Sequence, residues 1–133
     1  MATRSVIAKL DDKGVQAIYC HNDGYLSNNG KILDQHYQNE DKVNELLAEG
    51  DISSLRDTIA DTTFYARDRG EIDKEAATLK DESALLKYAF ESCDAEVVYM
   101  FAFGSWYVYD NSNKIGDASY QFIELEEALY TVS

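Results

Sequence analysis

One long apolar segment near residue 100 constrains the fold of this chain more than any other feature. Residues 96–103 form an almost continuous apolar and aromatic run, and residues 106–109 form a second run after Gly104 and Ser105. β-branched and aromatic side chains favour strands, and two residues suffice for a tight turn. The pattern predicts a hairpin of two central strands. Alternation places three aromatic residues on one core-facing side: Tyr99, Phe101 and Phe103.

A second hairpin is predicted near the start of the chain. Residues 4–10 and 15–21 are short runs that favour strands, and the charged residues 11–14 between them suit a hairpin loop better than a helix. Apolar side chains alternate along residues 5–10. One face of this hairpin is therefore expected on the core, and the other is expected to be partly exposed or covered.

The middle of the chain carries helical spacing. Apolar residues recur with a helical period from residue 31 to residue 47, with an interruption at residues 38–41. This spacing predicts two short helices, or one broken helix, ending near Gly50. Residues 51–55 indicate a capped turn or a short helix, and residues 62–65 indicate a strand that ends at Arg67.

The remaining segments complete the predicted fold. An N-cap candidate at Asp81 predicts a helix over residues 81–90 that ends before Asp94. Residues 120–123 are predicted as an edge strand, and residues 124–129 as a terminal helical turn or two. We therefore predict a single α+β domain over residues 1–133. Its antiparallel sheet has about five strands, from the N-terminal hairpin, a middle strand and the C-terminal hairpin, packed with helices.

The charge of the chain argues against one class of partner. The net charge is −13, from 25 acidic and 12 basic side chains, whereas binding of a phosphate backbone depends on clustered Lys and Arg. We expect no direct binding of nucleic acid. Residues 81–133 carry 10 acidic and 2 basic side chains, so this portion is either a solvated surface or a surface for a basic partner. The candidate partner-binding residues are Asp110, Asp117, Glu124, Glu126 and Glu127.

The apolar runs are too short for a membrane segment. None approaches the roughly 20 residues of a membrane helix, and no long apolar stretch of a signal peptide follows Met1. A cytoplasmic protein without membrane contact is expected. In a reducing compartment Cys20 and Cys93 stay as thiols. The sequence leaves the oligomeric state open.

Residues 19–25 gather chemically active side chains where a strand runs out into a turn. The candidate ligand-binding residues are Cys20, His21, Asp23 and Tyr25. One interpretation is a thiolate with an imidazole base. Neighbours on a strand point to opposite faces, so His36 is a better partner for Cys20 than His21 and is a further candidate. The alternative is that Cys20 is a small core residue while His21 and Asp23 organise the turn.

No metal or other cofactor is predicted. A zinc site from Cys20, His21, His36 and Cys93 has fitting ligand types, but these residues lack the short paired spacings of structural zinc motifs. The chain also lacks the GxGxxG, Walker, GxSxG and HExxH motifs of nucleotide-binding proteins, hydrolases and metalloproteases. No catalytic residue is assigned.

Arg67 and Arg69 are the only close pair of arginines in the chain. One interpretation is a guanidinium fork for a phosphate or carboxylate ligand, oriented by Asp68 or Glu71. The other is an internal salt-bridge cluster that neutralises part of the excess negative charge. Both stay open from the sequence, and all four residues are candidate ligand-binding residues.

Several segments together resemble a group of small uncharacterised proteins in phages and prophage-bearing bacteria. Two of them are a YCHxDGY-type segment at residues 19–25 and an RDRGE-type segment at residues 67–71. The resemblance also involves residues 3–5, Gly30 with Leu33, residues 36–37, residues 50–55, residues 98–99 and residues 106–108, and it extends to Leu125. It implies a phage context more than a chemistry, and by analogy a host-takeover or anti-defence factor that works by binding.

Three functions are consistent with these observations. The first is a non-enzymatic phage accessory protein that binds a host protein with a basic surface, with an anti-defence or DNA-mimic-like role. The second is a small-ligand or catalytic domain that uses His21, Asp23 and His36 with Arg67 and Arg69. The third is a structural or assembly component of a phage particle. The sequence favours the first and leaves open whether the protein is an enzyme.

Overall fold

One sheet organises the part of the chain that the computed structural model describes, namely residues 3–72, 75–110 and 122–132. Its strands are β1 Ser5–Asp11, β2 Gly14–Cys20, β3 Ile52–Ser54, β4 Thr63–Phe64, β5 Ala77–Leu79, β6 Val97–Ala102, β7 Ser105–Asp110 and β8 Ile123–Glu124. Their order across the sheet is β4-β3-β2-β1-β6-β7-β8. β5 pairs with residues 15–17 of β2.

Five short helices accompany the sheet in the described residues. They are α1 Lys31–His36, α2 Glu40–Ala48, α3 Tyr65–Arg69, α4 Glu82–Lys87 and α5 Leu125–Val132. A π-helical turn, Leu26–Gly30, leads into α1, and a second one, Tyr88–Ser92, continues α4. The carboxylate of Asp81 accepts a hydrogen bond from the backbone N–H of Ala84 at 2.9 Å, which confirms the predicted N-cap of α4. In this part of the chain, no helix is long and apolar enough to cross a membrane.

The sheet corrects the sequence prediction. β1 runs parallel to β6, and β2 runs parallel to β3, while the other pairs are antiparallel. The prediction of an antiparallel sheet of about five strands is therefore wrong, although helices and strands together do give an α+β composition. β3, β5 and β8 have only two or three residues each. Runs this short carry no readable alternation, and a parallel pair between distant segments leaves no local signature.

Both predicted hairpins are confirmed, with one shift in the second turn. Ala102 pairs with Ser105, so the turn residues are Phe103 and Gly104 instead of Gly104 and Ser105. Both have positive φ angles, 53° and 79°, as a two-residue hairpin turn of the primed type requires. Phe103 therefore leaves the core-facing row and is 90% exposed.

The other predictions have mixed outcomes. The two short helices after residue 30 are confirmed as α1 and α2, and the terminal helix is confirmed as α5. Residues 51–55 hold β3 instead of a capped turn or helix, because Ile52 pairs with both β2 and β4. The predicted strand at residues 62–65 is shorter and continues directly into α3. The edge strand predicted at residues 120–123 corresponds to β8. The first two residues of that predicted range lie outside the described part of the chain.

Helices cover the sheet on both faces. One face packs against α1, α2 and α5 in a core that includes Ile7, Ile18 and Tyr99. The other face packs against α4 and the turn after it, in a second core that includes Val6, Val98 and Leu85. All six residues of β6 are buried, which explains its continuous apolar run, because a strand covered on both faces needs no polar alternation.

The cover on the second face is partial. The second core draws its buried residues from β1, β2, α4, β6 and β7, together with neighbouring turns. At the end of β2 and next to β3 and β4, the residues on this face are Tyr19, His21, Ser53 and Tyr65. They are polar or phenolic, and all except the buried Ser53 are partly exposed. This part of the face is a site where polar side chains meet solvent.

Candidate functional site

The Cys20 thiol belongs to the core. Its side chain is 0% exposed, and its sulfur accepts a hydrogen bond from Asn29 Nδ2 at 3.3 Å. Burial raises the pKa of Cys20 to about 11, so the thiol keeps its proton at neutral pH. A thiolate is the reactive form of cysteine. The geometry therefore favours the interpretation of Cys20 as a small core residue over that of a nucleophile.

The loop after β2 is fastened to the start of β1 through its backbone. Asp23 has a φ of 56°, and its carbonyl accepts hydrogen bonds from Asn28 and Asn29. The N–H of Gly24 donates to the Thr3 carbonyl at 2.8 Å. The buried Tyr99 hydroxyl donates to the Gly24 carbonyl at 2.6 Å. Asp23 thus organises a loop that packs on the first core.

The side chain of His21 lies on the opposite face of the sheet from Cys20. Its Nδ1 forms a hydrogen bond of 2.6 Å with the Tyr19 hydroxyl. The Tyr19 backbone N–H donates to Asp51 Oδ1 at 2.9 Å, which ties β2 to the start of β3. Burial raises the pKa of the Tyr19 hydroxyl, and the nearby Arg4 guanidinium opposes that rise. His21 and Tyr19 form a partly exposed imidazole–phenol pair.

The other histidine is in a different place. His36 Nε2 lies 3.6 Å from Asp57 Oδ1, at the end of α1. Within the described residues, no group of three or more His, Cys, Asp and Glu side chains is arranged to hold a metal ion. The four residues of the zinc alternative are therefore not brought together as a ligand set.

The Arg67 guanidinium binds the backbone of the loop that precedes β4. Nη1 donates to the Ile59 carbonyl at 3.0 Å, and Nη2 donates to the Thr62 carbonyl at 2.7 Å. Nε donates to Asp68 Oδ1 at 3.0 Å, and the guanidinium lies 4.6 Å from the centre of the Phe64 ring. The hydrogen bond between the Arg67 and Asp68 side chains lowers the pKa of Asp68 and raises the pKa of Arg67. This geometry favours the internal salt-bridge interpretation for Arg67 and Asp68.

Arg69 is differently placed. Its Nη2 donates to the Ser53 hydroxyl at 3.4 Å, and its guanidinium lies 5.3 Å from the centre of the Tyr65 ring. Asn22, next to His21, also reaches the Ser53 hydroxyl. The structure thus brings Arg69 close to the His21 segment while it separates Arg69 from Arg67. Glu71 is exposed and contributes a backbone hydrogen bond to the Tyr65 carbonyl.

A cleft of about 310 Å³ holds two of the five predicted acidic residues together with a third carboxylate that was not predicted. Asp34 on α1, Glu124 on β8 and Glu126 on α5 line it. Burial and, after it, the negative charge of Glu126 raise the pKa of Asp34. Trp106 and Phe101 also line the cleft, packed edge to face with ring centres 5.2 Å apart. We call this feature the acidic cleft. Both rings are almost fully buried, so the carboxylates are the groups that attract a cationic side chain to this cleft.

The remaining predicted partner residues have different positions. Glu127 is exposed on α5, beside the acidic cleft. Asp110 is fully buried at the end of β7, so its carboxylate does not belong to the exposed surface. Asp117 lies outside the described residues. Sequence reasoning missed Asp34, because only the folded chain brings α1 next to α5 and no local pattern links them.

Comparison with known proteins supplies no relative. The chain matches no protein-family model, and no curated protein or solved structure is significantly similar to it. The resemblance to phage proteins therefore stays a prediction from the sequence.

Proposed function

We propose that this protein acts by binding another protein through the acidic cleft, and that the partner presents a basic surface. The observation that carries the proposal is the position of three carboxylates around an aromatic cleft, next to an exposed phenylalanine. Asp34, Glu124 and Glu126 supply the charge. Phe103, at the tip of the adjacent hairpin, is 90% exposed.

Electrostatics favours a cationic partner at this position. Charges of one sign in a partly enclosed cleft reinforce one another and speed the encounter with the opposite charge. Asp34 and Glu126 repel each other in the free protein, since the negative charge of Glu126 adds to the effect of burial in raising the pKa of Asp34. A lysine or arginine side chain of the partner relieves that repulsion and packs against Trp106.

Phe103 adds an apolar anchor. A large exposed aromatic at the tip of a hairpin costs solvation free energy in the free protein and recovers it when a partner covers the ring. Aromatic anchors inside a rim of polar groups are common at the centres of protein interfaces. The acidic cleft and Phe103 therefore offer two recognition elements on one surface.

The resemblance to phage and prophage proteins makes a host protein the expected partner. An acidic surface of this kind can occupy a groove that the partner otherwise uses for nucleic acid, which is the DNA-mimic-like role expected from the sequence. The function proposed here is binding without chemistry.

The test begins with affinity capture from host lysate with the tagged full chain, followed by calorimetric titration of the purified partner. We expect the affinity to fall steeply between about 0.1 M and about 1 M salt. Replacement Glu126→Lys is expected to weaken binding about tenfold or more, because it places a cation against a cation. Phe103→Ala is expected to weaken it without changing the salt dependence.

Glu45→Lys is the matched control, since Glu45 is exposed on α2 and undergoes the same change of charge. It should leave affinity nearly unchanged. An affinity that is indifferent both to salt and to Glu126→Lys would contradict the proposal.

A further inference from the structure

A second surface, separate from the acidic cleft, brings cationic and phenolic groups together. It is the part of the second sheet face that α4 does not cover. We call it the polar corner, and it consists of Arg4, Tyr19, His21, Ser53, Tyr65 and Arg69. Its members come from the leading end of β1, the end of β2, β3 and α3, so only the folded chain assembles it.

Strand pairing explains why these side chains share a face. Ser5 pairs with Cys20, so the flanking Arg4 and His21 lie side by side and point away from the first core. Ile52 pairs with both Cys20 and Phe64 and faces the first core with them. Residues next to these three positions point to the opposite face, by the alternation of a pleated sheet.

A cleft adjoins the polar corner. Its volume is about 330 Å³, and Tyr19, Asp51, Tyr88, Ser92 and Cys93 line it. Tyr88, Ser92 and Cys93 belong to the π-helical turn after α4 and the residue that follows it. This volume is at the lower end of the range for pockets that hold small molecules. The helical turn forms one wall and the strands form the floor.

The two arginines of the polar corner, Arg4 and Arg69, form only weak interactions with neighbouring side chains. Arg4 pairs with Asp94 at 3.1 Å, but the Asp94 side chain is 89% exposed, and ion pairs this open contribute little. Arg69 forms no ion pair with any of the described residues, and its guanidinium donates a hydrogen bond to the neutral Ser53 hydroxyl at 3.4 Å. Arg67, in contrast, is engaged by carbonyls and a carboxylate. The Arg4 side chain is 41% exposed and Arg69 is exposed as well, so a ligand in solvent can reach both guanidinium groups.

We propose that the polar corner binds a small molecule that carries a phosphate group. The guanidinium groups of Arg4 and Arg69 and the imidazole of His21 contact the phosphate oxygens. Guanidinium forks match the oxygens of a phosphate in charge and geometry. The body of the ligand lies in the cleft, against the rings of Tyr19 and Tyr88.

The acidic residues of this region constrain the chemistry of the ligand outside its phosphate group. Asp51 lies in the cleft and Asp94 at its border, so a bare anion meets repulsion as well as attraction. A ligand with hydroxyl or amino donors on its body turns the Asp51 carboxylate into a partner. The structure therefore favours a phosphorylated sugar or nucleoside over inorganic phosphate.

The test is a titration of the isotope-labelled full chain, followed by NMR. The probes are adenosine monophosphate, ribose 5-phosphate, adenosine and inorganic phosphate. We expect at least one of the two phosphorylated organic probes to shift the resonances of Arg4, His21 and Arg69 saturably, and to bind more tightly than adenosine or inorganic phosphate. No saturable shift with either phosphorylated probe at millimolar concentration would overturn the proposal, and so would equal binding of inorganic phosphate.

Two variants separate binding from folding. Arg69→Ala is expected to weaken binding about tenfold or more, because it removes charge-assisted hydrogen bonds. Ser92→Phe fills the cleft from an exposed position without a change of charge and is expected to abolish binding of the organic probes. Arg56→Ala, which removes an arginine from another surface, is the control and should leave binding unchanged. Binding that survives both test variants would overturn the proposal.

Discussion

Gly24 illustrates how tightly a single residue is constrained in this chain. A Cβ at this position would lie 2.7 Å from both Ser5 Cβ and the Thr3 carbonyl oxygen. The close approach allows the Gly24 N–H to donate to the same Thr3 carbonyl. Only glycine lets the loop after β2 lie against the start of β1.

Replacement Gly24→Ala is therefore expected to destabilise the protein by about 1–3 kcal/mol, because the loop must shift to admit the methyl group. Urea unfolding measures the change. Gly30→Ala is the control, since its Cβ would meet the flexible side chains of Leu26 and Leu129 at 3.3 Å. Equal unfolding midpoints for the two variants would show that the loop is not held against β1.

The Cys20 thiol is expected to make stability fall in alkaline solution. Its pKa is about 11 in the folded protein against an ordinary value of 9.0. Between these pH values the unfolded chain loses the proton while the folded protein keeps it, so unfolding becomes more favourable as the pH rises. The contribution is complete below pH 9 and declines by roughly 2–3 kcal/mol up to about pH 11.

The Cys20→Ala variant isolates this contribution, because other alkaline groups titrate equally in both proteins. The difference in unfolding free energy between the two proteins should be constant below pH 9 and shrink above it. Chemical denaturation across this pH range measures it. A constant difference up to about pH 11 would show that the folded state does not hold the proton.

At the level of elements, α4 and the turn after it form the cover of the second core in the described structure. Leu85, Leu86 and Ala89 bury their side chains there in a cluster with residues of β1, β2 and β6. An isolated helix of six residues is unstable in water. This helix therefore depends on its cap and on the apolar face that it buries.

Removal of the cap by Asp81→Ala is expected to destabilise the protein by about 1 kcal/mol, because the Ala84 N–H loses its acceptor. Asp81→Asn keeps a capping side chain and should restore most of the stability. Hydrogen exchange of the α4 amides should accelerate in the first variant and not in the second. Equal exchange in both variants would mean that the cap does not limit the opening of α4.

For the whole molecule, the net charge of −13 sets the response to salt. Carboxylates of like sign repel one another across the surface, and the repulsion is stronger in the compact folded state than in the expanded chain. We expect the melting temperature to rise when salt is added, since ions screen this repulsion. Thermal unfolding at low and high salt measures the effect.

The Glu45→Lys variant provides the comparison. Glu45 lies one helical turn from Asp41 on α2 and from Glu49, the C-cap of that helix. A lysine at position 45 converts two repulsive pairs into attractive ones. Its melting temperature should exceed that of the unchanged protein at low salt, and added salt should narrow the gap. A melting temperature that falls with salt in both proteins would show that charge repulsion is not the main electrostatic term.

Local chemistry accounts for what the sequence predicted correctly. The two hairpins, the paired helices α1 and α2, and the Asp81 cap all follow from residues within a few positions of one another. Strand alternation, helical spacing and capping act over this short range. The same range explains why the sequence offered the core interpretation of Cys20 and the internal interpretation of Arg67 only as alternatives, which the contacts of the folded chain then tested.

By itself, then, the sequence determined the hairpins, most of the helices and the acidic character of the surface, because those properties are local or compositional. Only the tertiary structure decided the parallel pairing of β1 with β6, the cover on both faces of the sheet and the meeting of Asp34 with Glu126. It also brought Arg69 to Ser53 on β3 and directed Arg67 to the carbonyls of Ile59 and Thr62. Such contacts join residues far apart in the chain, and packing of the whole sheet, which leaves no local pattern, selects them.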